Sequence, residues 1–308
     1  MNKVLISPRS LTRDGHPSLK LLEEAGYDVV FATPGKQPTE EELLQLLPGC
    51  IGYLAGVEKI SAQALQAAKE LKVISRNGSG IDNIDLEAAE KAGIEICRTE
   101  GANAKGVAEL AIGSMFALAR FLPFHDGRMK EEKWERRKGF ELEGKTLGLI
   151  GCGQIGKETA LRALGVGMQV KAFRRNPDRS FAPSEKFVWT TMEELLETAD
   201  VISLHRPANP DGTPVVNADM ISRMKKGVLL INTARASLVD DDAVLQALES
   251  GQIAGMATDV YVTEPPEEFK LVKHDRVIAT PHLGGFTRES VDRATTEAVK
   301  NIIETLKG

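Results

Sequence analysis

A short apolar run, TLGLI at 146–150, passes directly into Gly151-Cys152-Gly153-Gln154-Ile155-Gly156 and then into the helical pattern KETALRALG. No other stretch restricts the fold as far. A strand, a GxGxxG turn and a helix in that order form the opening βα unit of a doubly wound parallel sheet. Gly151 permits the tight turn, Gly153 lets a pyrophosphate approach the backbone, and Gly156 lets helix and strand pack closely. The helix N-terminus, with Gln154 and Ile155 in its first turn, offers N–H groups to the phosphates. In this context the run reads as a dinucleotide site; a glycine-rich turn without function is the plainer alternative.

The same rhythm extends to both sides. Ahead of the loop, KVLIS, SLKLLEEAG, YDVVFAT, a helix opened by Thr39 and Glu42 as a capping box, CIGYLAG, SAQALQAAKELK, KVISR, DLEAAEKAG and IEICRT alternate between strand and helix patterns. This predicts a first doubly wound parallel sheet ending near residue 100. AKGVAELAIGSMFALARF then shows apolar residues on nearly all faces, the pattern of a helix buried between two domains. After the charged DGRMKEEKWERRKGFELEGK, a second βα series runs from TLGLIG to about residue 285, and RESVDRATTEAVKNIIETLKG is expected to return to the first domain. A length of 308 residues suits two cores.

Net charge is −5, with Lys and Arg scattered among acidic residues, which argues against a nucleic-acid partner. MNKVLISPRS holds no signal-like apolar stretch, and no run has membrane-spanning length, so a cytoplasmic protein without a membrane partner is expected. Cys50, Cys97 and Cys152 are widely spaced, with no CxxC pair and no His-rich pattern, and read as reduced thiols with no metal site.

The strand MQVKAF ends in Phe173-Arg174-Arg175, where an acidic residue would accept the ribose hydroxyls of NAD. Two arginines there suit a 2′-phosphate, held by charge-assisted bidentate hydrogen bonds, and favour NADP(H). The alternative is a solvated arginine loop with NAD held by other contacts.

Three later strands each lead to a reactive residue: GVLLINTA to Arg235, AGMATDV to Glu264, and RVIAT to Pro281-His282. Side chains beyond the carboxyl ends of neighbouring strands can converge beside a cofactor fixed by the glycine loop. Reducing a 2-keto acid needs a proton delivered to the carbonyl oxygen, and imidazole suits a reversible donor, so His282 is the acid/base candidate. Glu264 would orient the ring and favour imidazolium. Arg235 would bind the substrate carboxylate and polarise the keto group. Taken singly, each residue could be a turn histidine, a solvated acid or a surface cation. His205, ending VISLH, could touch the cofactor or be structural; His16, His125 and His274 lie in polar segments.

GCGQIG, INTARASLVD, ATDVYVTEPP and TPHLGGFT resemble, in order and spacing, the signatures of the D-isomer-specific 2-hydroxyacid dehydrogenase family, over nearly the whole chain. The resemblance implies an α/β protein of two doubly wound parallel-sheet domains. A flavodoxin-like substrate domain would cover 1–100 plus 287–308, and a Rossmann dinucleotide-binding domain 101–286. It also implies a homodimer, an active-site trio of Arg235, Glu264 and His282, and Asp259 as the carboxylate that bonds the nicotinamide amide. Gly78-Ser79-Gly80-Ile81-Asp82-Asn83 would be a substrate loop whose Ser79 and Gly80 N–H groups hold the substrate carboxylate, with Asn77 and Asn103 as further substrate residues; a plain strand-ending turn is the alternative.

Within that family the chain is most similar to 3-phosphoglycerate dehydrogenases around RNGSGIDNIDLEAAEKAGI and MKEEKWERRKGFELEGKTLG, so Arg76 and Arg136 are candidate phosphate ligands, or else ordinary surface cations. The regulatory carboxy-terminal extension of such enzymes is expected to be absent. Glu100-Gly101-Ala102, Ala236 and Arg174 depart from the family pattern. The expectation is an NADP(H)-preferring 2-keto acid reductase or 2-hydroxyacid dehydrogenase, with hydroxypyruvate, glyoxylate or a phosphorylated three-carbon acid as leading substrates. NAD-dependent phosphoglycerate oxidation is the second enzymatic choice, and a dinucleotide-sensing interaction protein the alternative of another class.

Overall fold

The structure, a computed structural model, describes residues 2–267 and 270–308. The chain divides into two compact units, Met1–Asn103 with Thr287–Gly308, and Ala104–Phe286.

In the first unit β1 (Lys3–Ile6), β2 (Asp28–Phe31), β3 (Cys50–Ala55), β4 (Val73–Arg76) and β5 (Glu95–Arg98) pair in parallel in the order β2-β1-β3-β4-β5. This is the flavodoxin-like order. The inner strands are apolar and mostly buried because helices cover both faces, whereas β2 and β5 at the edges expose their end residues. The Arg288–Lys307 helix lies on β3, β4 and β5 and buries Ala294, Ala298, Val299 and Ile302. Gly52 lets it approach, since a Cβ there would lie 3.1 Å from Ile302 Cγ2. Thr39 does cap its helix by accepting from the Glu42 N–H at 3.3 Å. The reciprocal half of the box is missing, because the Glu42 carboxylate reaches the Thr33 N–H and hydroxyl at 2.7 and 2.8 Å instead. A strand-end donor with no partner in its own ladder outcompetes the local one.

The second unit holds β6 (Thr146–Ile150), β7 (Gln169–Phe173), β8 (Phe187–Trp189), β9 (Val201–Leu204), β10 (Val228–Asn232), β11 (Ile253–Thr258) and β12 (Val277–Ala279). They pair in parallel in the order β12-β11-β10-β9-β6-β7-β8. Chain order reverses between β6 and β9. The connections on either side of such a point leave to opposite faces and open a crevice at the carboxyl ends, directly over the glycine loop.

The Ala104–Ala119 helix packs on the Gln154–Gly165 helix and on β10 and β11, burying Ala108, Ala111 and Met115. It is not buried all round: Lys105, Glu109, Gly113, Phe116 and Arg120 form one exposed stripe. The near-uniform apolarity hid this stripe because Gly113 and Phe116 count as apolar yet face outward. No single helix among the described residues is long and apolar enough to cross a membrane. Cys50, Cys97 and Cys152 are free thiols.

Candidate active site

Gly151 turns the chain at the end of β6 with φ +95°, a conformation that side-chain-bearing residues rarely adopt. A Cβ there would stand 2.3 Å from the His205 carbonyl oxygen, and one at Gly156 2.6 Å from the Gly151 carbonyl oxygen. Gly153 differs: nothing lies within 4 Å of the position its Cβ would take. It caps the Gln154–Gly165 helix without any side-chain hydrogen bond to the first-turn N–H groups. Open backbone donors at the positive end of a helix, with bare space in front, are what a pyrophosphate requires. Cys152 is buried in this loop, and burial pushes its thiol up to about 11 against the nearby Lys157 and Arg174 charges.

Arg174 and Arg175 follow β7, the neighbour of β6, and both are exposed. Sequence reasoning found no acid at this strand end and missed Asp178 in the same loop. Its carboxylate accepts from Lys157 Nζ at 2.6 Å and from the Ser180 hydroxyl at 2.5 Å, bonds that hold it down to about 2. Lys157 belongs to the helix of the glycine loop, so no local pattern could announce the pair. His205 is buried; its Nε2 lies 2.9 Å from the Ser203 hydroxyl, and burial pulls the imidazole down to about 4. It is therefore neutral at pH 7, and its main-chain carbonyl walls the Gly151 turn.

β10, β11 and β12 are consecutive neighbours, so their carboxyl ends bring Arg235, the Asp259–Glu264 loop and His282 to one edge. Buried Asn232 shapes the Arg235 turn: its Nδ2 donates to the Arg235 carbonyl at 2.9 Å and its Oδ1 accepts from the Ala234 N–H at 3.1 Å. His282 Nδ1 lies 2.7 Å from Glu264 Oε2 and 2.9 Å from Oε1. An ionised carboxylate can only accept, so Nδ1 carries the hydrogen and Nε2 is the end left to exchange a proton. Burial alone would raise the Glu264 carboxyl. The His282 hydrogen bond and charge, the Tyr261 N–H and the Arg235 charge outweigh it and hold Glu264 below its ordinary range.

Asp259 is 2 % exposed. Its Oδ1 accepts from the Thr280 hydroxyl at 2.5 Å and the Leu283 N–H at 2.7 Å, and its Oδ2 from the Gly284 N–H at 2.8 Å. The resemblance pointed Asp259 at a nicotinamide; its bonds inside this unit go to the loop that carries His282. Sequence reasoning missed Tyr261 and Thr280, whose bonds join separate loops.

In the first unit the Ser79 hydroxyl donates to the Thr99 carbonyl and to Asn103 Oδ1, both at 3.2 Å, so two of the expected substrate residues meet. Arg76 Nη1 donates to the Asn77 carbonyl at 2.5 Å and crosses over Gly78, where a Cβ would lie 2.4 Å from it. Buried Glu58, also missed, accepts from the Tyr53 hydroxyl at 2.6 Å and the Gly56 N–H at 2.8 Å, while Asn83 Nδ2 donates to the Glu58 carbonyl at 2.6 Å. The last of these bonds ties the loop after β3 to Asn83, in the segment that follows Gly80. In the second unit Arg136 lines a surface hollow of about 400 Å³ with Arg120, Leu122, His125, Trp134 and Arg137, a group that includes none of the trio.

The sequence profile described as "D-isomer specific 2-hydroxyacid dehydrogenase, NAD binding domain" matches residues 112–284, the span that holds the glycine loop and all three strand ends. The chain belongs to the D-isomer-specific 2-hydroxyacid dehydrogenase family. It is similar to the D-3-phosphoglycerate dehydrogenase of Homo sapiens, 38% identical over 292 residues, covering 94% of this chain and 54% of that protein. The chain thus spans about half the length of such curated relatives. A hydroxypyruvate reductase of Thermotoga maritima is 39% identical over 273 residues, covering 87% of this chain and 88% of that protein. Among solved structures, the TT0316 protein from Thermus thermophilus superposes with a TM-score of 0.88 at 34% identity, covering 99% of this chain and 97% of that one. The family assignment makes the second unit an NAD-binding domain.

Proposed function

We propose that this family member transfers a hydride reversibly between a nicotinamide dinucleotide and a small 2-keto or 2-hydroxy acid. The observation that carries the reading is the His282 Nδ1 to Glu264 contact of 2.7 Å at the strand edge that also holds Arg235. When bound, the nicotinamide supplies or accepts the hydride. His282 gives its Nε2 proton to the carbonyl oxygen in reduction and takes it back in oxidation. Glu264 keeps Nδ1 as the donor and stabilises the imidazolium. Arg235 binds the substrate carboxylate and polarises the keto oxygen, so its loss should affect both binding and rate. Within the second unit the N–H groups of Gly153, Gln154 and Ile155 are assigned to the pyrophosphate. Within the first, the N–H groups of Ser79 and Gly80 are assigned to the substrate carboxylate.

Hydroxypyruvate and glyoxylate are the leading substrates, because the relative named for hydroxypyruvate reduction matches along 88% of its own length. Phosphoglycerate oxidation is the second choice, supported by the relatives of that name at 38% identity. Arg174 and Arg175 favour NADP(H) over NAD(H), since two exposed guanidinium groups suit a 2′-phosphate and Asp178 is already engaged by Lys157. A homodimer is expected from family membership, checked by light scattering.

The test is the initial rate of hydroxypyruvate and of glyoxylate reduction with NADPH and with NADH at equal concentrations. Faster turnover with NADPH is the expected result. Faster turnover with NADH overturns the cofactor assignment and promotes phosphoglycerate oxidation. No turnover across a wider panel of 2-keto acids overturns the enzymatic reading in favour of a dinucleotide sensor.

A further inference from the structure

Thr280, two residues before His282, has every polar group held. Its N–H donates to the Thr258 carbonyl at 3.0 Å, its hydroxyl donates to Asp259 Oδ1 at 2.5 Å, and its carbonyl accepts from the Tyr261 hydroxyl at 2.8 Å. The same carbonyl also accepts from the His282 N–H at 3.0 Å. Beyond His282, the Leu283 and Gly284 N–H groups end on Asp259. His282 itself has φ +54°, a conformation that is costly for a side-chain-bearing residue and persists only where its surroundings impose it. Tyr261 reaches both loops that carry the dyad: its N–H donates to Glu264 Oε1 at 3.2 Å, and its hydroxyl donates to the Thr280 carbonyl, two residues before His282.

From this geometry we infer that Tyr261, together with Asp259 and Thr280, is a positioning residue that holds the Glu264 loop and the His282 loop in the register their hydrogen bond requires. The inference rests on the reading of Glu264 and His282 as the acid–base pair. A hydrogen bond between a ring and a carboxylate is steeply dependent on distance and angle, and the two side chains come from loops 18 positions apart in sequence. No single loop can set both ends; a hydroxyl from one loop on the main chain of the other can. Burial, with the charges of Asp259 and Glu264, pushes the Tyr261 hydroxyl above its ordinary value, so it stays a donor throughout the working range of pH.

The test is Tyr261→Phe, which removes only the hydroxyl. Two readouts are taken: steady-state kinetics with saturating cofactor, and the downfield imidazole N–H resonance of the His282–Glu264 pair, assigned by its loss in His282→Ala. The expected result is a kcat lower by about three- to tenfold, the loss of one positioning hydrogen bond, with the Kd of the dinucleotide unchanged and the imidazole resonance shifted or broadened. Thr280→Val, which frees the Asp259 end of the same post, should move the resonance in the same way. An unchanged resonance in both variants overturns the positioning role, whatever the rate. A fall in rate accompanied by weaker dinucleotide binding overturns it in favour of a contact with the cofactor. If the unaltered protein turns over no 2-keto acid, the functional reading fails, and the resonance still decides whether Tyr261 sets the geometry of the pair.

Discussion

Replacing Glu264 separates charge from shape at the centre of the proposed mechanism. Glu264→Gln keeps the length of the side chain and an acceptor oxygen for His282 Nδ1 but removes the anion. A hydrogen bond to a charged group contributes about 1.5–3 kcal/mol net and a neutral one about 0.5–1.5, so the difference is roughly 1–1.5 kcal/mol. At about 1.4 kcal/mol per decade that is about five- to twelvefold in kcat for keto-acid reduction. Glu264 and His282 are 26% and 41% exposed as side chains, so solvent screening favours the lower end, about fivefold. Glu264→Ala removes the acceptor as well and should cost about ten- to a hundredfold. Because the Glu264 carboxyl is held below its ordinary value of 4.5, its contribution is complete above that pH and is lost as pH falls through the lower, folded value. The unaltered enzyme should therefore show an acid limb that Glu264→Gln lacks. The assay is loss of nicotinamide absorbance at saturating cofactor across a pH series. If both variants stay within about twofold of the unaltered enzyme, the reasoning from the 2.7 Å contact is refuted.

Gly153→Ala should fold with unchanged thermal stability, because its Cβ meets nothing within 4 Å, yet weaken dinucleotide binding at least about tenfold by filling the approach of the pyrophosphate. Gly151→Ala should instead lower stability by about 1–3 kcal/mol in denaturant titration, since φ is +95° and the new Cβ would press on the His205 carbonyl; equal stability of the two variants would contradict this account. Arg174→Asp should reduce kcat/KM for NADPH by about ten- to a hundredfold and raise it for NADH, read from parallel rate curves; unchanged preference would remove Arg174 from the phosphate site. His205, pulled down to about 4 by burial, takes up its proton more readily when unfolded, so stability is complete above about pH 6.5 and declines as pH falls toward 4, by up to roughly 3 kcal/mol. His205→Gln should flatten that slope in urea titrations at several pH values, and an unaltered slope would mean that other groups produce it.

The parts of the site that were legible in the sequence share one property: a local pattern announces them. TLGLI followed by GCGQIG places a strand, a turn and a helix in register within a dozen positions, and the structure has β6, Gly151 at φ +95° and the helix Gln154–Gly165. Arg235, Glu264 and His282 stand out as reactive types beyond three apolar runs, and the order of β10, β11 and β12 puts those ends side by side. The half-formed capping box at Thr39 and the exposed stripe of the Ala104–Ala119 helix show the limit. At the box the Thr33 N–H, at the end of another element, claimed Glu42, and in the helix an apolar residue type did not by itself say that Phe116 faces outward.

Sequence by itself determined the α/β class, the alternating strands and helices, the glycine turn and the chemical types at the strand ends, because periodicity and the φ demands of glycine act over a few residues. Tertiary structure alone decided the strand order around the switch between β6 and β9, the Lys157–Asp178 pair that neutralises the acid beside Arg174, and the burial that keeps His205 uncharged. It also decided how Tyr261, Asp259 and Thr280 hold His282 at φ +54° against Glu264. Those features join loops that follow different strands, where no period runs and where the hydrogen-bond partner of a side chain depends on which strands the sheet has placed next to each other.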